Sequence, residues 1–280
     1  MIVQNPLVAA FAAQVGKRYS PARADTFWTC EPLFRLLLDP QVAEAVINER
    51  LQALVDDPAA VGSSRGPTLQ LAQGAAWTLS LRLLTQARRY LHSTVRDTLV
   101  APIGSLPLRL DRYQLPDGFR DAEFDPAQRL SRAGSLSVAP GELLRMPVAG
   151  LVFDYRIEAP LLILMLESAP QALLEWRFSR DSLHAWQCTD ADPDTTDLKA
   201  AAWLAGRLAH HTSLKPLQAL AAHPNPGVRG AALQNIGRLS RSQARKLLNA
   251  ALDDPHPQVR LSARQALDRD DPAPSRQRDR

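Results

Sequence analysis

The feature that most constrains this chain is a 31-residue echo in its last third. Asp192-Pro193, His223-Pro224 and Asp254-Pro255 stand 31 apart, as do Gly206-Arg207-Leu208 and Gly237-Arg238-Leu239. Val228-Arg229 returns as Val259-Arg260, Ala201 as Ala232 and Ala263, and Leu217 as Leu248. A fixed period of this length marks stacked supersecondary units, each burying its apolar face only against its neighbours. Such an array presents an extended surface, which suits docking better than chemistry.

From Asp194 to about Asp268 the apolar spacing is helical. It predicts a lone helix over Leu198–Ala209 and then two pairs, Leu214–Ala222 with Val228–Leu239 and Ser242–Leu252 with Pro257–Leu267. Pro226-Gly227-Val228-Arg229 and Pro257-Gln258-Val259-Arg260 open the second helix of each pair. Val228 and Val259 are expected inside, and small Ala232 and Ala263 let helices approach closely. This stretch resembles the HEAT-repeat family in its short form. The resemblance implies an α-solenoid of about two and a half repeats that acts as a scaffold, docking a protein partner, capping a neighbouring domain or holding a dimer together.

Residues from 195 onward carry 14 Lys and Arg against 7 Asp and Glu, a net +7, whereas the rest of the chain carries −3. Arg238, Arg241, Arg245 and Lys246 gather round one inter-helix turn and are candidate partner contacts. Phosphate contact with nucleic acid is a second reading of that cluster. The lack of interleaved aromatic residues for base stacking disfavours it. A solvated turn, with cations near a helix C-terminus, is a third. His210-His211 reads as a helix C-terminal feature rather than a metal site. Asp271 to Arg280 has no apolar anchor and is expected to be a disordered tail.

Residues 1 to about 95 read as helical. Asp39-Pro40 is a helix start, an acceptor followed by Pro at the first helical position. Gly62 to Gly66 reads as a loop, and Leu69, Ala72, Ala76, Leu79, Leu83, Ala87 and Leu91 then form one stripe of a longer helix whose other face carries Arg82, Arg88 and Arg89. His92 falls at the end of that helix as a C-terminal cation.

Near Leu99 the pattern changes to short strands divided by Pro, Gly and Asp turns: Leu108–Leu115, Gly134–Val138, Glu142–Met146, Leu151–Ile157, Leu161–Glu167, Ala172–Phe178 and His184–Cys188. Pro140-Gly141, a five-residue strand and then Pro147 resemble the second conserved motif of the cupin family. Ala149 stands where that family has Gly and Val152 where it has a metal-binding His, and Leu108 to Val138 contains no His at all. The resemblance implies an antiparallel β-barrel or sandwich without the usual metal site, either non-catalytic or binding an organic ligand.

The expected fold is therefore α+β. Helices occupy 1–98, a cupin-like β domain 99–190, HEAT-like repeats 191–270 and a tail 271–280. In the strand Leu151–Glu158, one register places Asp154, Arg156 and Glu158 inside as a binding constellation for a charged small ligand. The other places Phe153 and Tyr155 in the core and the charges in water. Trp176, with Phe178 and Trp186, lines a pocket or belongs to the core.

Chemistry is otherwise sparse. There is no phosphate loop, no dinucleotide fingerprint and no presented nucleophilic Ser. Cys30 and Cys188 match no disulfide or metal spacing and read as reduced thiols of a cytoplasmic protein. The apolar run Leu7–Ala13 has no basic segment before it, unlike a signal peptide, and Leu161–Leu166 is too short to span a bilayer. The sequence thus predicts a binding or adaptor protein with no cofactor or metal. Its rivals are a small-molecule sensor and a cupin-type oxygenase or isomerase using Asp154, Glu158 and His184.

Overall fold

A computed structural model describes residues 5–56, 67–148 and 150–270. The loop expected at 62–66, Ala149 and the tail expected at 271–280 lie outside the described residues. Contacts divide the chain into two compact units, Met1–Ala191 and Asp192–Arg280.

The first unit opens with α1 (Pro6–Arg18), a 3-10 turn (Ala24–Cys30), α2 (Glu31–Arg35) and α3 (Pro40–Asp56). Asn5 caps α1 by accepting from the Leu7 and Val8 amides, with Pro6 at the first position. Asp39 likewise accepts from the Gln41 amide at the start of α3. Among the described residues eleven strands follow: β1 (Thr68–Gln73), β2 (Trp77–Leu84), β3 (Leu91–His92), β4 (Thr98–Ile103), β5 (Leu108–Gln114), β6 (Ser131–Val138), β7 (Leu144–Met146), β8 (Leu151–Arg156), β9 (Leu161–Ser168), β10 (Leu174–Phe178) and β11 (Ala185–Asp190). Seven of them, β5 to β11, correspond to the seven strands read from the sequence.

The helix expected from Leu69 to Leu91 is not formed; β1, β2 and β3 occupy that stretch. Trp77, Leu79 and Leu81 recur every second residue and all three are buried, so the period-2 reading of the same residues wins. Gly74 makes the tight connection between β1 and β2. A Cβ there would lie 2.3 Å from the Trp77 indole nitrogen.

The strands form open antiparallel sheets rather than a closed barrel. One has the order β1-β2-β9-β4-β7; the others are β6-β5-β8 and β11-β10-β3. β3 runs beside β8, and the Thr94 hydroxyl donates to the Leu151 carbonyl at 3.2 Å, so the two small sheets adjoin. Three cores result. Phe11, Phe27, Phe34 and Val46 of the helical segment pack on Leu79, Leu99 and Leu166 of the large sheet. The other face of that sheet gives Ile163 and Met165 to an inner core shared with Leu110, Phe153 and Tyr155. The far face of the small sheets gives Val152, Trp176 and Phe178 to an outer core closed by Leu115, Phe119 and Leu130 from the β5–β6 connection.

The second unit contains α4 (Pro193–Leu208), a 3-10 turn (His211–Ser213), α5 (Leu214–Leu220), α6 (Pro226–Leu239), α7 (Arg241–Ala251) and α8 (Pro257–Asp270). Val228, Ala232, Leu217, Leu248, Val259 and Ala263 are buried, as the 31-residue period requires. The arginine of the Val-Arg dipeptide makes the joint. Arg229 Nη1 donates to the His223 and Pro224 carbonyls at 2.9 and 2.8 Å, while Nε and Nη2 grip Asp254 of the next unit at 2.8 and 2.6 Å. Arg260 repeats the first half, its Nη1 donating to the Asp254 and Pro255 carbonyls at 2.7 and 3.0 Å. Burial would raise the Asp254 carboxyl, but the Arg229 fork, the His256 amide and nearby positive charge outweigh it and hold it below the usual range.

Candidate functional site

Strand alternation decides which charges enter the space between the sheets. On β2, Trp77, Leu79 and Leu81 meet the helices, so Ser80 and Arg82 face inward, paired with Met165 and Ile163 of the inner core. Glu167 lies two residues beyond Met165 on the same face. Arg112 follows Leu108 and Leu110 on β5 and pairs with Phe153. On β10, Trp176 and Phe178 belong to the outer core, so Glu175 and Arg177 take the inner face, with His92 opposite Arg177. His92 is thus a strand residue, not the helix-terminal cation expected.

These groups interact. Arg82 approaches Glu167 at 3.5 Å, and His92 Nδ1 meets Glu175 Oε1 at 3.1 Å. Burial pushes the Tyr155 phenol up, with Arg88 and Arg82 opposing and Glu167 reinforcing. Tyr155 therefore stays a neutral donor, its hydroxyl 3.8 Å from Met146 Sδ. For Glu175, burial would raise the carboxyl, but the His92 hydrogen bond and the charges of His92, Arg88 and Arg177 hold it below the usual range. Four buried side-chain atoms among the described residues have no hydrogen-bond partner: Ser80 Oγ, Arg82 Nε, Arg112 Nε and Arg177 Nε. All four residues lie on the inward face. Sequence reading missed them, having assigned Arg82 to the polar side of a helix. The available signal was Ser80 and Arg82 alternating with Leu79 and Leu81.

The residues singled out from sequence lie elsewhere. Phe153 and Tyr155 face the inner core, and Asp154, Arg156 and Glu158 take the opposite face. There β5 sets Asp111 across from Asp154 and Arg109 across from Arg156. Like charges directly opposite repel, and each is answered by a different partner. Arg180 grips Asp154 with two bonds of 2.6 Å, Arg156 reaches Asp111 at 3.2 Å, and Arg109 holds Glu158 at 2.8 Å. The three residues form separate ion pairs, not one constellation. His184 is exposed in the turn before β11, so it does not join Asp154 and Glu158. Among the described residues, no three His, Cys, Asp or Glu side chains are grouped so as to hold a metal ion.

Trp176 is a core residue, 1% exposed, stacked on Phe178 and edge-on to Phe119. Its Nε1 donates to the Asp121 carbonyl at 2.9 Å. It thereby supports the wall of an outer cleft of about 360 Å³ lined by Leu115, Asp117, Phe119 and Asp121. Trp186 instead is exposed and stacks on Tyr90. Cys30 is fully buried, and that burial raises its thiol pKa against the pull of Arg18, so it is a poor nucleophile.

On the repeat unit, Arg238 ends α6, and Arg241, Arg245 and Lys246 lie on α7; all four are exposed. Separately, α4 exposes Trp203, Leu204 and Leu208, with Arg207 over the Trp203 ring at 5.2 Å. His210 caps the turn after α4 by accepting from the Thr212 amide, and its ring lies 4.4 Å from that of His211. No helix among the described residues is long and apolar enough to cross a membrane.

Comparison with known proteins agrees with the repeats. The family model described as HEAT repeats matches residues 185–268. No curated protein matches the chain. Among solved structures, similarity extends to hydroquinone 1,2-dioxygenase from Sphingomonas sp. TTNP3 at 14% identity and TM-score 0.30, over 41% of this chain and 72% of that one. It also extends to a cupin-superfamily sugar phosphate isomerase from Silicibacter pomeroyi at 16% identity and TM-score 0.24, over 45% and 78%. A third is a structure of unknown function from Rhizobium leguminosarum at 16% identity and TM-score 0.25, over 40% and 90%. Cupin-superfamily proteins therefore stand among the structural neighbours, and at these TM-scores nothing about activity follows.

Proposed function

We propose that this chain is a non-catalytic binding protein of two parts. The repeat unit docks a protein with an acidic surface, and the β unit takes a small ligand between its sheets. The docking reading is carried by the exposed basic turn of Arg238, Arg241, Arg245 and Lys246 on a stack of HEAT-type repeats, a scaffold whose usual role is protein interaction. Charges of one sign on a docking face speed association with a partner of opposite sign and make it salt-dependent. The test begins with crosslinking the full chain in its own cells to identify the partner. Affinity is then measured for the double charge reversal Arg238→Glu, Lys246→Glu. At least tenfold weaker binding with a slower on-rate is expected; unchanged affinity counts against the reading.

The ligand reading is favoured by one specific observation, the four buried unpartnered donors on the inner face. Buried polar groups without partners are rare in native proteins, and a bound water, ion or ligand is one way to satisfy them. Elemental analysis and turnover assays on protein from its own cells separate this reading from the oxygenase or isomerase alternative. One metal per chain together with robust turnover would defeat it.

A further inference from the structure

The outer face of the β unit carries a cleft of about 360 Å³. We propose that this cleft binds a small organic amine, its protonated nitrogen held by Asp117 and Asp121 and its apolar body seated against Leu115, Phe119 and Leu174. The cleft is separate from the space between the sheets, so neither site depends on the other.

The walls come first. Small-molecule sites are mostly apolar hollows of about 300–1,000 Å³ with a few placed polar groups. Here Leu115, Phe119 and Leu174 supply the apolar part. Phe119 stands edge-on to buried Trp176 with ring centroids 4.7 Å apart, and the Trp176 indole nitrogen donates to the Asp121 carbonyl at 2.9 Å. The Phe119 amide closes a turn on the Pro116 carbonyl at 3.1 Å, with Gly118 at φ 71° in the third position, where a glycine is favoured. That turn carries both Asp117 and Phe119. A wall already fixed in this way loses little freedom when a ligand enters.

The polar groups come second. Asp117 and Asp121 line the cleft, and no Lys, Arg or His lines it with them. The Leu173 amide donates to Asp121 Oδ2 at 3.1 Å, which orients that carboxylate. Among the described residues no hydrogen bond or ion pair reaches Asp121 Oδ1 or the Asp117 carboxylate. Ser93, also in the lining, is 8% exposed. Its Oγ accepts from the Trp176 amide at 2.9 Å, and its own hydrogen has no acceptor among the described residues. A buried hydroxyl with an unspent donor calls for an acceptor.

Charge selects the ligand. Two carboxylates with no cation beside them repel an anion. A neutral apolar molecule would cover them and take them out of water unpaired. A bare metal ion needs more ligands than two carboxylates, and its neighbours here would be apolar. An ammonium group on an apolar body answers both the carboxylates and the wall, and an oxygen elsewhere on that body can accept from Ser93.

The test uses the full chain and five probes. Tyramine carries the ammonium, an aromatic ring and an oxygen. Phenethylamine lacks the oxygen, tyrosol has a hydroxyl in place of the amine, para-hydroxyphenylacetate has a carboxylate there, and ethylamine lacks the ring. Binding is measured by titration calorimetry and thermal melting for wild type, Asp117→Asn and Asp121→Asn. Asparagine can still accept from the Leu173 amide, and Asp117→Asn breaks no bond among the described residues, so both variants are expected to keep the ligand-free Tm. Tyramine is expected to bind, with tyrosol, para-hydroxyphenylacetate and ethylamine each at least about tenfold weaker. Each variant is expected to weaken tyramine at least about tenfold and to leave tyrosol unchanged. Added salt is expected to weaken tyramine more than tyrosol. Phenethylamine is expected to bind more weakly than tyramine, because it offers Ser93 no acceptor.

Failure of both aryl amines to bind would overturn the proposal. So would equal tyramine affinity in wild type and both variants, which would place the amine elsewhere. Tyrosol binding as tightly as tyramine would overturn the charge selection and leave only an apolar cleft. Equal affinity for tyramine and phenethylamine would remove Ser93 from the site. A ligand held between the sheets would survive both aspartate substitutions, so failure here and failure of the inner-face reading are told apart.

Discussion

Arg180→Ala should be among the most damaging substitutions in the β unit. Asp154 is 5% exposed and lies across from Asp111, so its charge depends on the two 2.6 Å bonds from Arg180. Arg180 Nε also donates to the Arg88 carbonyl at 2.7 Å. Removing one partner of a buried ion pair costs about 3–5 kcal/mol, because the remaining charge is desolvated and unpaired. The Arg180 side chain is 33% exposed, so water re-enters in part and about 2–4 kcal/mol is expected. For a unit of this size that lowers Tm by roughly 5–12 °C. Urea unfolding of the full chain, followed by tryptophan fluorescence, reads the effect, since four of the five tryptophans lie within residues 1–191. Arg156→Ala is the internal control. It breaks a pair on the same face whose arginine is 57% exposed, so it should cost no more than about 1 kcal/mol. Adding Asp154→Asn to Arg180→Ala should recover most of the loss. A cost below about 1 kcal/mol for Arg180→Ala, or additive losses in the double variant, would refute the reasoning.

Three further outcomes follow from the geometry. Gly74→Ala should destabilise the β unit by about 1–3 kcal/mol, because its Cβ meets the buried Trp77 ring; the check is a denaturant midpoint shifted at constant slope. Ala232→Leu should cost a similar 1–3 kcal/mol by overpacking the fully buried repeat core, seen as loss of helical circular dichroism at lower urea. The folded repeat unit holds Asp254 below its ordinary value of 3.8, so the stability this contributes is whole above that value. It is lost as pH falls through the lower folded value. Arg229→Met should therefore flatten the fall in repeat-unit stability on acidification, measured by urea melts at pH 7 and pH 3; an unchanged fall would argue against the pair.

What the sequence revealed and what it hid have physical causes. The repeats were legible because stacked units need the same small and apolar residues at the same interval, and Val228, Ala232, Val259 and Ala263 sit inside as that interval demands. Strands β5 to β11 were legible because Pro, Gly and Asp turns divide them. β4 was missed because all six of its residues are buried, which erases alternation. β1 and β2 were misread because apolar residues on both faces of a covered strand also fit a helical stripe. The inward arginines were missed because a charge beside apolar neighbours normally signals solvent. Only strand pairing shows that Arg82, Arg112 and Arg177 take the inward faces of their sheets.

The Arg229 joint also determines how the repeat unit comes apart. One side chain fastens the turn before α6 and, through Asp254, the turn before α8, so the last two helices are tied to α6 by an ion pair as well as by apolar packing. Past Val259, Arg260 fastens only its own turn among the described residues. Under pulling or heat, α7 and α8 should leave together as one flap hinged at α6, with α4 to α6 staying shut. A partner gripping the basic turn between α6 and α7 would be holding the hinge itself.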